Sequence, residues 1–250
     1  MYGNRIVTTI VIFILVTVAF ASSAQASVIA DYTLNGNASD SSGNGLTATA
    51  VSNVTWNADY YGRSAAVFNG YTSYITLPFK LDASIYPTLT ICAWVNEANP
   101  SGSSSYLQMI VNNDNFNYSR ALFEENLSGA TWSSNVQGPD AQLRGSALTV
   151  NQWAFVAVAY SPTSTILYVN GTTYTSTANQ ASTGLYAAIG ASAGGLTNQQ
   201  NFDGAISSVS FYNTALSAGA LNAIMLPDPT TPALLLGLGA MVAMLTRRRS

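Results

Sequence analysis

The 250-residue chain has no histidine, one cysteine (Cys92), and charge on only 8% of its residues. Without histidine, no side chain has an ordinary pKa suited to general-base work near neutral pH. Ser–His and Cys–His nucleophilic catalysis are therefore excluded. Histidine-ligated zinc goes with them, and one thiol builds neither a thiolate metal site nor an intramolecular disulfide. Cys92 lies in an apolar strand pattern and reads as a small buried hydrophobe. Glycine loops of the Walker or dinucleotide type are also missing. Between residues 27 and 226 the only bases are Arg63, Lys80, Arg120 and Arg144, against ten acids, a net charge of −6. No basic patch exists to neutralise phosphates, which excludes nucleic acid as a partner.

Both ends are set apart from the rest. Arg5 begins a positive segment, Ile6 to Phe20 is almost uninterrupted apolar sequence, and Ala24-Gln25-Ala26 is an A-x-A cleavage signature. Residues 1–26 thus read as a secretory signal peptide cut by signal peptidase after Ala26, the alternative being an uncleaved N-terminal anchor. At the other end, residues 227–250 hold Pro227-Asp228-Pro229, an uncharged run from Pro232 to Leu245, and Arg247-Arg248-Arg249. The 14-residue run reaches about 21 Å as a helix, short of a bilayer core of roughly 30 Å. It is a marginal transmembrane helix whose arginines stay on the cytoplasmic side.

The body, residues 27–226, is long enough for one large domain with its own core. Short β-type runs separated by Gly, Asn, Ser and Asp recur along it. They are expected at Val28–Leu34, Ala65–Gly70, Ser73–Leu77, Leu89–Asn96, Tyr106–Asn112, Trp153–Tyr160, Thr165–Thr175, Leu185–Gly190 and Ala205–Tyr212. In the fourth run Leu89, Ile91, Ala93 and Val95 share one face, while Trp153–Tyr160 is apolar on both, as a central strand would be. Asn170-Gly171 supplies the positive φ angles of a two-residue type I′ hairpin turn. A short helix is expected over Ala215–Met225. Many short antiparallel strands without intervening helices imply an all-β fold of two packed antiparallel sheets.

Sugar rings stack on aromatic faces while amides hydrogen-bond their hydroxyls, so exposed aromatics among Asn residues mark candidate glycan sites. The first candidate is Asn112–Arg120, with Phe116 and Tyr118 among Asp114, Asn115 and Asn117. Tyr60 and Tyr61, in Asn57–Arg63, and Trp132 come next. The alternative is a polar loop whose aromatics tuck against the sandwich. Trp94 and Trp153 fall inside strand patterns and are expected in the core. For hydrolysis two carboxylates must share a cleft. Glu124 and Glu125 are adjacent, so a strand points them to opposite faces, and Glu97 and Asp114 could meet only through a loop arrangement.

Five stretches in order, Tyr32–Gly45, Gly62–Gly70, Leu89–Val95, Asn151–Gly171 and Phe202–Leu221, resemble the laminin-G-like, concanavalin A-like jelly-roll domains of exported bacterial proteins. That resemblance implies the jelly-roll topology. It also implies a calcium site built from the acidic glycine turn, with Asp40 and Asn44 as oxygen ligands, and a late acid in a G-x-I-D pattern. The late position is Ser207, which shares a face with Val209 and Phe211 and fits a weakened or lost site. Asp40 also reads as an Asx-turn residue. Related glucanases carry an E-x-D-x-x-E strand pattern that this chain lacks. The tail resembles the PEP-CTERM sorting signal, with Asp for the usual Glu between the prolines. It implies recognition by an exosortase-type protease and temporary membrane anchoring. The expected function is a lectin-like or adhesive, non-catalytic module at the cell surface or in an exopolysaccharide matrix of a biofilm. It would bind an extracellular glycan or matrix polysaccharide. The alternatives are a structural matrix protein without a discrete ligand and a polysaccharide hydrolase.

Overall fold

The computed structural model describes residues 26–103, 105–114, 119–137, 141–179 and 183–226. The expected signal peptide up to Gln25 (Ala24 included), Asn115 to Tyr118, and the tail with Pro227, Asp228, Pro229 and Arg247 to Arg249 lie outside them. No helix among the described residues is long and apolar enough to cross a membrane.

In chain order the strands are β1 (Val28–Tyr32), β2 (Ala50–Ser52), β3 (Thr55–Tyr60), β4 (Arg63–Asn69) and β5 (Tyr74–Thr76). Next come β6 (Leu89–Glu97), β7 (Leu107–Asn112), β8 (Ala121–Glu125), β9 (Thr131–Gln137) and β10 (Ala141–Ala147). Last are β11 (Trp153–Ser161), β12 (Ser164–Val169), β13 (Thr172–Ser176), β14 (Ala188–Ile189) and β15 (Asp203–Tyr212), followed by helix α1 (Ala218–Met225). One sheet runs β13-β12-β11-β6-β15-β4-β3, with β1 also paired to β15; the other runs β10-β9-β8-β7-β14-β5-β2. The ladders are antiparallel, so the expected two-sheet sandwich is the fold.

Alternation along β6 decides what it buries. Leu89, Ile91, Ala93 and Val95 enter the core between the sheets, together with Val156 and Val158 of β11 and Ile206, Val209 and Phe211 of β15. The opposite face carries Cys92, Phe155, Ala157 and Tyr168, and Leu216 and Leu221 of the α1 segment cover it. This explains why β11 is apolar on both faces: one meets the other sheet, and one meets α1. Burying Leu221 there contributes about 1.5–3 kcal/mol. Helix α1 starts at Ala218, three residues later than expected, because the Ser217 side chain caps it by accepting from Ala220 N. The Tyr168 hydroxyl donates to Asn222 and ties the helix to the sheet.

Asn170 and Gly171 have φ of 46° and 96° and close the β12–β13 hairpin, with Val169 opposite Thr172, as the Asn-Gly pair predicts. Five strands had no clear sequence signal: β2, β3, β8, β9 and β10. Conversely, the run Leu185–Gly190 yields only the two-residue β14. In β15 the register shifts between Ile206, opposite Val95, and Ser208, opposite Trp94. Ser207 is the extra residue of a β-bulge there, not a regular member of the Val209–Phe211 face.

Candidate functional site: an aromatic row leading to a cavity

Strands β3 and β4 are joined by the two residues Tyr61 and Gly62, with Tyr60 opposite Arg63. Asn57 Oδ1 accepts from Asp59 N, and Asp59 Oδ1 accepts from Gly62 N at 2.9 Å, so two Asx contacts shape the turn. Gly62 has φ of 86° and Tyr61 of 47°. For a bulky residue such a left-handed backbone costs about 1–2 kcal/mol, yet the Tyr61 ring gains little burial in return, being 62% exposed.

The turn is clamped from β11. Trp153 Nε1 donates to the carbonyls of both Tyr60 and Tyr61 at 3.1 Å. The rings of Tyr61 and Tyr60 lie 5.0 Å apart, and those of Tyr60 and Trp153 6.2 Å, both edge-to-face. Arg63 continues the row: its guanidinium stacks 3.7 Å from the Trp94 ring centre and 5.9 Å from that of Trp153. Beyond Trp94 come Phe155 at 5.5 Å and then Tyr168 at 5.8 Å. Trp94 and Trp153 therefore stand half-buried on the outer face of the sheet, not in the core between the sheets. A period-2 pattern identifies two faces but not which one the second sheet covers.

The row runs from an exposed tip to a cavity of about 520 Å³ beside α1, walled by Arg63, Trp94, Phe155, Ser208 and Met225 among others. Burial pulls the Arg63 guanidinium below its usual pKa. Cys92 lines the same cavity, but burial pushes its thiol far up, so it stays an unreactive thiol.

The other expected residues go elsewhere. Asn115, Phe116, Asn117 and Tyr118 lie outside the described residues. Asp114 is 7% exposed, and its carboxylate accepts from Ser119 N. Trp132 is 2% exposed and packs in the core, so it offers no face for stacking. Asp40 is occupied by its own turn: Oδ1 accepts from Asp31 N and Ser42 N, and Oδ2 from Leu46 N. Burial alone would raise its pKa, but these hydrogen bonds outweigh it and hold the carboxyl at about 2. The Asn44 amide donates to the carbonyls of Val28 and Ile29. Both side chains are thus committed to the turn and to β1, Ser207 sits on the bulge, and no group of three or more His, Cys, Asp or Glu that could hold a metal ion occurs among the described residues.

The carboxylates do not form a cleft pair either. Glu97 couples to Glu124, not Asp114, and both side chains are buried at 0% exposure. Glu124 alternates with Leu122 on β8 and lies opposite Trp132, which places it on the core side. Glu125 points the other way, bridged to Arg144. Burial first, and then the neighbouring acid charge, push Glu97 up to about 9 and Glu124 up to about 8. With both side chains buried between the sheets, neither faces a surface cleft. Strand β8 was missed because this inward acid breaks the apolar alternation that reveals a strand.

Comparisons with known proteins place the fold. Domain 4 of an extracellular arabinanase from Geobacillus stearothermophilus, solved with arabinotriose, superposes with a TM-score of 0.59 at 19% identity, covering 80% of this chain and 99% of that one. The botulinum neurotoxin serotype D binding domain gives 0.59 at 18%, covering 79% of this chain and 51% of that one. The sialidase of Trypanosoma rangeli, solved with sialic acid, gives 0.57 at 13%, covering 79% and 32%. The chain thus spans about half of the neurotoxin binding domain and a third of the sialidase. No curated protein matches it. The laminin-G-type family model of the "Concanavalin A-like lectin/glucanases superfamily" matches residues 68–222, more than half of the chain. The chain belongs to that superfamily.

Proposed function

We propose that this chain is an exported, non-catalytic glycan-binding module that acts at the cell surface or in an exopolysaccharide matrix. The observation that carries the reading is the aromatic row Tyr61–Tyr60–Trp153, assembled from two strands and the strained turn between β3 and β4, which leaves its outermost ring in solvent. Aromatic faces flanked by hydrogen-bonding groups suit sugar rings, whose C–H faces stack while their hydroxyls bond. Arabinotriose and sialic acid in the similar structures support a carbohydrate as the ligand class. Sealing of Glu97 and Glu124 in the interior supports binding without turnover. The leader at residues 1–26 and the Pro-Asp-Pro, apolar and arginine elements of residues 227–250 support export by signal peptidase and sorting by an exosortase-type protease.

The test is titration of the purified protein against a panel of neutral and acidic oligosaccharides. Wild type should bind at least one, and Tyr61→Ala should bind it about tenfold more weakly, the equivalent of about 1.4 kcal/mol, without loss of thermal stability. Binding of no saccharide by the wild type would end the proposal.

A further inference from the structure

The cavity beside α1 has a chemistry that its walls do not consume. Of the four bases in the body, Arg144 is bridged to Glu125. Arg120 is buried and donates to the carbonyls of Leu81, Tyr86 and Pro87. Lys80 stands over Tyr186, 5.9 Å from the ring centre. Arg63 makes no ion pair among the described residues, and its guanidinium, backed by Trp94 at 3.7 Å, belongs to the cavity wall. Ser210, on the same wall, is committed to Asp31 at 2.6 Å. Ser208 and Thr33, whose hydroxyls make no hydrogen bond among the described residues, line the same space. At about 520 Å³ the cavity falls within the roughly 300–1,000 Å³ of small-ligand sites.

A fixed, partly desolvated guanidinium that makes no ion pair among the described residues suits a small planar anion. Carboxylate matches the guanidinium fork, the two free hydroxyls match sugar hydroxyls, and Phe155 with Met225 supplies an apolar wall for a ring. Given the glycan-binding reading above, on which this rests, we propose that the α1 cavity is a subsite for an acidic sugar residue. Arg63 holds its carboxylate, and Ser208 and Thr33 meet its hydroxyls. The aromatic row would then align neighbouring sugars with this anchored residue, so a chain bearing carboxylates is preferred over a neutral one.

The experiment titrates the full-length protein with a short oligogalacturonate and with its methyl-esterified, neutral counterpart. Wild type should prefer the acid form at least tenfold at low salt, and the preference should shrink as ionic strength rises. Arg63→Gln should remove the preference, so that the acid and neutral forms bind equally, whereas Tyr61→Ala should weaken both forms alike and keep the preference. Should Arg63→Gln misfold, Ser208→Leu fills the cavity from the sheet side and should abolish the preference with Arg63 intact. Equal binding of the two forms by wild type, or a preference that survives both substitutions, overturns the subsite while leaving neutral-glycan binding standing. Binding of neither form or of any neutral glycan overturns the subsite and the glycan reading together.

Discussion

The hydroxyls of Tyr160 and Ser134 meet at 2.7 Å across the two sheets, one on β11 and one on β9. Tyr160 Oη also accepts from Ala121 N at 3.0 Å and donates to Ala121 O at 3.1 Å, so one buried phenol ties two strands of the opposite sheet. Other buried polar groups gather around it, Asn135 O at 3.4 Å and the Arg120 guanidinium 4.9 Å from the ring centre. The hydroxyl sits there because the backbone of β8 would lack a partner without it.

Tyr160→Phe should keep the ring, and with it the Arg120 guanidinium stacked 4.9 Å away, but orphan the Ala121 N–H. A loss of about 1–3 kcal/mol in urea unfolding is expected, with an unchanged m-value. No measurable loss would show that water replaces the hydroxyl.

The Glu97–Glu124 pair makes the protein alkali-sensitive. Both carboxyls are raised in the folded state, to about 9 and about 8, against ordinary values near 4.5. The folded state therefore holds protons that the unfolded chain releases, and stability falls as pH rises from about 5 towards 9. Glu124→Gln should flatten that slope and raise Tm at pH 8; a slope unchanged in the variant would place the titration elsewhere.

Asp40 has the opposite sign. Its carboxyl is held at about 2 in the fold, below its ordinary 3.8, so its contribution is complete above about pH 4 and is lost as pH falls towards 2. Asp40→Ala strips the acceptor from three backbone N–H groups. It should cost about 1–3 kcal/mol at neutral pH, while the variant's stability curve should lose part of its acid limb.

Gly190 is fixed by Phe68. Its φ is +77°, and a Cβ placed there would lie 2.1 Å from the Phe68 ring. Gly190→Ala should destabilise by about 1–3 kcal/mol through overpacking, with backbone strain added. Phe68→Leu in the same chain should recover part of the loss, a coupling that a double-mutant cycle measures.

The strongest sequence signals were those with a local cause. Alternation in Leu89–Val95 and the Asn170-Gly171 turn depend on strand period and on φ, and both appear in the structure as read. Strands β8, β9 and β10 were not legible because what stabilises them comes from afar. Ser134 is satisfied by Tyr160, Glu125 by Arg144, and Glu124 stays neutral beside Glu97. A polar residue looks like a loop residue until its distant partner is known. Of the candidate site, Tyr60 and Tyr61 were legible as aromatics beside a turn. Arg63, Trp94 and Trp153 were not, since nothing in their spacing brings them together.

By itself the sequence determined the strand period, the hairpin turn, the acidic body and the lack of any histidine, because each follows from residue type and near neighbours. Only the tertiary structure decided which sheet face is covered, which carboxylates are sealed away, and which guanidinium lines a cavity. Those outcomes depend on contacts between distant strands, such as Asp31 with Ser210, 179 residues apart, where packing and desolvation, not local preference, set the energy.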